Sequence, residues 1–510
     1  MVESVTTISS WSKLFCDRVS GSGDIVFVNG HRIELRNTNN SEKGVPTQGA
    51  GPYSKIELHV AASYSQLPNA PGPGMLSFFS DAPEFRKDPL AGFLKHALKF
   101  GDIVRYRGLW ITHQLSHPDH IQQVLQTNVA NYRKGRDYRI LKLSLGEGLL
   151  TSDGALWQRQ RKMTQPAFHT AQIAGFVRVM ENHALAMMER WETIAASGQS
   201  FDVLPDLMRL TLNIVSEALF STNLESDIAV IKETLDVGRE YTVDRAWSVV
   251  RVPQQLPTRR NLHHRRSLAN FHAILDRMVD ERRKSSAQVN DLLSMLMGAR
   301  DEDGAPMSAK QLRDEMATLL TAGHETTTLV LAWALFLIGS NPGVAERMSA
   351  EVGFLNGRAP GYEDLSRLRY TRNVAEETMR LYPPVWVLSR TAIGDDEMGG
   401  FKIPAGSEIL IFPYVTHRHP KWWTEPDKFD PERFLPERTV GRLRGAYLPF
   451  GLGPRTCIGL NFAMTEILVV LALITQRFRL ELAMDPAKMK LDASVTLRPK
   501  AGVPIRIVKR

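Results

Sequence analysis

Cysteine is scarce in this chain. Its 510 residues hold two, Cys16 and Cys457. So distant a pair makes a poor disulfide framework, and a reducing compartment, the cytoplasm, is expected. Neither cysteine has a CxxC spacing or a nearby histidine, which argues against structural zinc. Long hydrophobic runs are missing too. Residues 329–338 and 467–474 fall short of the roughly 18 apolar residues that a membrane span needs, and read as buried helices of a large core. The N-terminus lacks the basic-then-apolar pattern of a signal peptide, so no membrane anchor is expected. The net charge of +8 is modest for this length. No basic stripe is interleaved with aromatics, which speaks against nucleic acid. Internal repeats are absent.

What is present is ordinary in bulk: 43% apolar and 23% charged residues, as in a soluble globular protein. Residues 1–70 stand apart, rich in Ser, Gly and Asn, and form an N-terminal extension. Within it, DIVFVNGHRIEL (24–35) has an Asn-Gly turn between strand-like runs and predicts a β-hairpin. LPNAPGPG (67–74) reads as the linker to a main domain over 71–510. Helical patterns dominate there. Ser308-Ala-Lys-Gln311 is a capping box opening a long helix that stops before Asn341–Pro342. Further helices are expected over 370–381 and from just after Cys457 to about 478. Strand-like pieces are few: 104–107 with 110–112, two around a turn inside 401–412, and the C-terminal pair 494–498 and 504–508. The fold class is mainly α with a small β region.

Cys457 sits in PFGLGPRTCIGLNFAMTE (449–466). Gly451, Gly453 and Gly459 let backbone N–H groups approach the sulfur, and the following helix adds its N-terminus. Both stabilise a thiolate, and Arg455 offers a nearby cation. A lone cysteine is usually just a small buried hydrophobe, but the string Phe450-Gly-x-Gly-x-Arg-x-Cys457-x-Gly459 is too specific for that.

The string resembles the haem-binding signature of the cytochrome P-450 superfamily, the haem-thiolate monooxygenases. The resemblance runs from about residue 71 to 510. It implies the P-450 fold, with a long central helix over the haem and the cysteine-ligand loop beneath. It makes Cys457 the iron ligand of haem b. Phe450 would pack by the sulfur and Arg455 meet a haem propionate, with Gly451 and Gly459 in the haem loop.

Other motifs follow in order. Glu377-Thr-Met-Arg380 matches the family's ExxR element, and residues three apart share a helix face. Alone it would be a weak surface ion pair. It precedes LYPP (381–384), and Asp430-Pro-Glu-Arg433-Phe434 lies downstream. The resemblance implies a buried Glu377–Arg380–Arg433 network supporting the cysteine loop. Ala322-Gly323-His324-Glu325-Thr326-Thr327 puts a carboxylate and β-branched residues inside an apolar helix, a local conflict that points to function. By resemblance Thr326 would hydrogen-bond dioxygen and its waters and Glu325 would relay protons, while Ala322 and Gly323 leave room above the haem. Trp157-Gln-Arg-Gln-Arg161 resembles the family's WxxxR, with Trp157 and Arg161 one helical turn apart and suited to one propionate. Arg390, and more weakly Lys134, are further propionate candidates. His324 reads as structural or pocket-edge. The run TRRNLHHRRS (258–267) reads as a solvated loop and helix start. Arg159, Lys162, Arg442 and Arg444 could dock an acidic electron donor.

The resemblance therefore implies an enzyme that inserts one oxygen atom from dioxygen into a small lipophilic substrate, a fatty acid or terpenoid. Little chain follows Cys457, so no fused flavin reductase is expected. Electrons would come from a separate ferredoxin or flavoprotein reductase, and a monomer is expected. The pocket walls would be 138–149, 319–326, 385–388 and 495–497, with Trp386 and Leu388 as bulky elements. The alternatives are a haem-thiolate isomerase, dehydratase or peroxygenase, and a non-enzymatic haem sensor. The Glu325–Thr326 pair argues against each.

Overall fold

The computed structural model describes the chain from residue 64 onward, apart from 75–82, 86, 109, 249–251, 287–288 and 301–303, and the backbone of three short strands before it. Contacts divide the chain into two units, residues 1–70 with 395–404, and residues 71–394 with 405–510. In the first unit Ile25–Val28 pairs antiparallel with His31–Glu34, and His59–Val60 adds to the latter. The expected hairpin has its two strands there, while its Asn29–Gly30 turn lies outside the described residues, as does Cys16. Asp396–Met398 pairs with Phe401–Ile403 in the same unit.

The second unit is mainly helical. The helices that build the site are α1 (Tyr138–Leu145), α2 (Gly154–Thr164), α3 (Thr170–Ser197), α4 (Leu204–Phe220), α5 (Ile228–Trp247), α6 (Arg259–Lys284), α7 (Ala309–Ser340), α8 (Arg369–Leu381) and α9 (Leu460–Arg477). The start of α7 is set by Ser308, whose hydroxyl accepts the Gln311 N–H at 3.2 Å, the serine half of a capping box. Pro342 supplies no N–H to carry it past Asn341. Its segment 327–338 is buried on every face, as is 467–474 of α9. Each Leu, Val or Phe there contributes on the order of 1.5–3 kcal/mol of burial. α7 and α9 are long and apolar enough to cross a membrane, yet both are mostly buried in the fold.

A five-stranded sheet flanks the helices in the order 103–107, 111–115, 408–411, 388–392, 132–134, with 408–411 parallel to 111–115. Its register sets Lys134 beside Arg390. The strands beside two of the expected turns do not pair with each other. Phe401–Ile403 and Glu408–Ile411 flank a turn but join different sheets. Leu497–Pro499 and Pro504–Lys509 likewise part, the first pairing with Leu491–Ala493 and the second with Phe478–Leu482 and Ser200–Asp202. Local turn chemistry announces a reversal, but it does not choose the partner.

Candidate active site

The loop before α9 is shaped by two glycines with positive φ, Gly451 at 73° and Gly453 at 74°. At Gly453 a Cβ would also collide with the Leu125 carbonyl, so no other residue fits. The loop closes when the Cys457 N–H donates to the Phe450 carbonyl at 2.9 Å. The Cys457 side chain is exposed, although protein surrounds it, so it faces an internal hollow. Burial pushes its thiol up, and the Gly459 N–H and the Arg161 guanidinium pull it back down. The cation acting on the sulfur is thus Arg161, which donates to the Thr456 carbonyl at 2.9 Å. Arg455, expected in that role, turns instead to Asp153 and the Ser152 carbonyl and lies 4.1 Å over the Trp157 ring.

Arg455 belongs to a crowd of cations. Arg390 is buried, and its guanidinium meets the Tyr138 hydroxyl. Lys134 stands 4.1 Å over the Tyr138 ring. Burial pushes the Lys134 ammonium well below its ordinary value, and Arg390 and Arg455 push it further against the pull of Asp153 and Asp137. Three cations here share too little negative charge, so the cluster suits an anionic ligand. Tyr138 was not foreseen as part of this cluster; its position opening α1 beside Arg136 and Asp137 was the signal available.

Behind the cysteine loop, Glu377 and Arg380 on α8 form a fully buried bidentate pair, at 2.6 and 2.8 Å. Arg380 spends its remaining donors on the carbonyls of His417, Pro426 and Lys428. Arg433 approaches Glu377 at 3.3 Å, and the Asp430 N–H donates to the same carboxylate at 2.9 Å. Glu377, Arg380 and Arg433 are thus each paired within this network, the condition under which such buried charges hold together. His417, which the sequence did not single out, extends the network. It accepts the Leu448 N–H at 3.0 Å on Nε2 and lies 3.3 Å from the Arg380 carbonyl through Nδ1. It therefore joins α8 to the segment entering the cysteine loop. Arg442 is also drawn inward, 4.6 Å from the Trp423 ring and donating to the Arg433 carbonyl. That corrects its reading as a docking cation; Arg159, Lys162 and Arg444 remain at the surface.

Across the middle of α7, Ala322 is exposed among half-buried Thr321, Gly323, Glu325 and Thr326, and the Thr326 hydroxyl donates to its carbonyl at 2.7 Å. Glu325 points to the C-terminal segment. It accepts the Thr496 hydroxyl at 2.8 Å and pairs with Arg498 at 3.3 Å. His324 is buried against α4 near Met208, held by burial at about 4 and hence neutral. Gly323 also faces α4: a Cβ there would stand 2.9 Å from Val215 Cγ2. It serves helix packing, which corrects the expectation that it leaves room over a cofactor. Trp386 is corrected as well. It is buried, donates to the Ser494 carbonyl at 3.0 Å and stacks on Phe412, leaving Val385 as the exposed residue of that wall.

A family model described as Cytochrome P450 matches residues 70–505. The chain belongs to the cytochrome P450 family. Cyclooctatin synthase of Streptomyces melanosporofaciens is 40% identical over 414 residues, 80% of this chain and 89% of that protein. Cyclooctat-9-en-7-ol 5-monooxygenase of the same organism is 35% identical over 412 residues, 80% and 88% of the two chains. Pentalenene oxygenase of Streptomyces avermitilis is 30% identical over 433 residues, 84% and 95%. This P450 is a haem-thiolate monooxygenase that uses dioxygen, a lipophilic substrate and a redox partner. Its residues fit the cofactor: an exposed thiol inside the fold, an uncovered stretch on a buried helix, and a cation cluster short of anions, which carboxylates of a haem would balance.

Proposed function

We propose that this P450 hydroxylates a terpenoid skeleton, with haem b as its prosthetic group. In this reading Cys457 holds the iron, and Lys134, Arg390, Arg455, Arg161 and Trp157 receive the propionates. When bound, the haem supplies the activation of dioxygen, with the thiolate as electron donor. The chain's own part is to hold that sulfur rigid, exclude water and deliver protons. Thr326 places a hydroxyl at the uncovered stretch of α7. Glu325 stands one residue away, with Thr496 and Arg498 fixing its carboxylate until it takes up a proton. Glu377, Arg380, Arg433 and His417 brace the cysteine loop. Phe450 packs on the apolar core beside it.

The observation carrying the substrate class is the likeness to relatives named for cyclooctatin and pentalenene, which supports a cyclic terpenoid. Electrons would come from a separate ferredoxin or flavoprotein reductase. The enzyme would act in the cytoplasm as a monomer, residues 1–70 forming an extension outside the catalytic domain. The test is a Soret titration of the ferric enzyme with cyclic diterpenes, sesquiterpenes and medium-chain fatty acids, followed by product analysis with a surrogate redox system. Saturable binding and a hydroxylated product with a terpene alone support the reading. Turnover of fatty acids alone overturns it.

A further inference from the structure

α7 carries further polar side chains ahead of Thr326. Glu315, Thr318, Thr321 and Glu325 follow one another at spacings of three, three and four residues, so each neighbours the next on the helix surface. Glu315 and Thr318 are buried and Thr321 is half-buried. Three of their atoms, Glu315 Oε1, Thr318 Oγ1 and Thr321 Oγ1, are shielded from solvent and meet no hydrogen-bonding partner among the described residues. Elsewhere on α7 the backbone absorbs such hydroxyls. Thr326 and Thr328 donate to carbonyls four residues back, at 2.7 and 3.0 Å. Thr318 and Thr321 do not.

Buried polar atoms that protein leaves unpaired are as a rule met by ordered water, which needs several polar groups within reach. Here such groups recur about once per helical turn. Gly148 presents no side chain to the Thr318 hydroxyl, and a Cβ there would collide with it. One end of the stripe is Glu325, beside exposed Ala322. At the other end Glu315 is held in place, its Oε2 accepting the Leu149 N–H at 3.0 Å. Burial pushes its carboxyl up to about 7, helped by the Asp314 charge and opposed by the Leu149 N–H and the neutral Gln160 side chain of α2. Asp314 connects this end to the surface. It pairs with exposed Lys310 at 2.6 Å and accepts the N–H of exposed Glu147 at 2.8 Å. The Glu147 carboxylate pairs with Lys142 at 2.9 Å.

We propose that Glu315 is a proton reservoir for the reaction and resupplies Glu325 along waters held by Thr318 and Thr321. The step moves one proton and no electron. The Glu315 O–H gives its proton to the first water, each water passes one on, and the Glu325 carboxylate gains one. Glu315 regains a proton from solvent past Asp314 and Lys310, so it ends as it began. Glu315 touches no reacting atom; it is a positioning residue that acts through Glu325. The reservoir rests on the reading of Glu325 and Thr326 given above.

The test uses the haem-loaded enzyme in two measurements. Infrared difference spectra of the ferric protein across neutral pH should show a carboxyl that titrates at about 7 in wild type and is lost in Glu315→Gln. NADPH oxidation is then followed with a surrogate ferredoxin system and pentalenene as probe substrate, in light and heavy water. Glu315→Gln keeps the shape and the Leu149 contact. Thr318→Val keeps the shape and removes the hydroxyl. Both should slow oxidation by about tenfold and enlarge its solvent isotope effect, with the carbon monoxide thiolate spectrum retained. In a Glu325→Gln background neither should slow it further, because the groups act in series. A wild-type infrared titration that survives in Glu315→Gln overturns the reservoir, and so do unchanged isotope effects in both variants. A full additional loss in the Glu325→Gln background also overturns it, since that marks separate routes. Glu325→Gln with wild-type turnover sinks the reading of Glu325 itself, whereas a slow Glu325→Gln beside silent Glu315 and Thr318 variants sinks the reservoir alone.

Discussion

Thr326 and Glu325 are neighbours in sequence but answer to different partners. The threonine hydroxyl turns back to Ala322, and the carboxylate crosses to Thr496 and Arg498. Their removal should therefore fail differently. Thr326→Ala is expected to keep reductant consumption while hydroxylated product per reductant falls severalfold and peroxide rises. Unchanged coupling would take Thr326 out of proton handling. Glu325→Gln keeps the size and a hydrogen bond but loses the charge facing Arg498. If Glu325 moves protons, turnover should fall by about a hundredfold, with the thiolate spectrum intact. At Cys457 the expectation is spectroscopic: Cys457→Ser abolishes the thiolate band with carbon monoxide, and survival of that band would point to another ligand.

Two elements carry costs that single contacts hide. α8 presents Glu377 and Arg380 to a fully buried network, so Arg380→Ala leaves Glu377 with only the longer 3.3 Å cation contact from Arg433 and strands three carbonyls. A loss of about 3–5 kcal/mol is expected, seen as poor haem retention and a lowered unfolding midpoint. Wild-type-like retention would mean that Arg433 alone suffices. At the α4–α7 crossing, Gly323→Ala should destabilise, because its methyl presses on Val215 Cγ2. Val215→Ala should lose less stability in the Gly323→Ala background than alone, as measured by a double-mutant cycle. If Gly323→Ala stabilises instead, helix propensity outweighs the clash.

For the whole molecule, buried titratable groups set the pH profile. Burial holds His113, His264 and His324 at about 4 and His417 at about 3, against 6.5 when free. Below 6.5 the unfolded chain takes up more protons than the folded one, so stability falls as pH drops towards 3–4. Glu315 runs the other way. Burial raises it to about 7, so its contribution is complete below its ordinary 4.5 and lost as pH rises through 7. Glu376, Glu408 and Glu466 shift in the same direction. The two slopes oppose each other between 4.5 and 6.5 and act singly outside that window. The thermal midpoint should peak near pH 5–6, drop steeply below 4.5 and decline from 6.5 to 8. A midpoint still rising at pH 8 would contradict this balance.

The sequence by itself determined the family, the long central helix and the residues at its centre. These rest on local signals: a capping serine, a proline stop, glycines where φ must be positive, and motif strings whose spacing fits one helix face or one loop. The three-residue spacing of Glu377 and Arg380 made their pairing legible, because helix geometry brings such residues together wherever the helix lies. Only the tertiary structure decided which partner each group takes. Arg161 rather than Arg455 faces the sulfur, Arg498 claims Glu325, Gly323 serves helix packing, and Trp386 leaves the pocket for the core. Strand partners and the part played by His417 were equally hidden. Each depends on segments tens to hundreds of residues apart meeting in one place, and the free energy that chooses among them comes from burial and charge pairing across the whole fold, which no local pattern encodes.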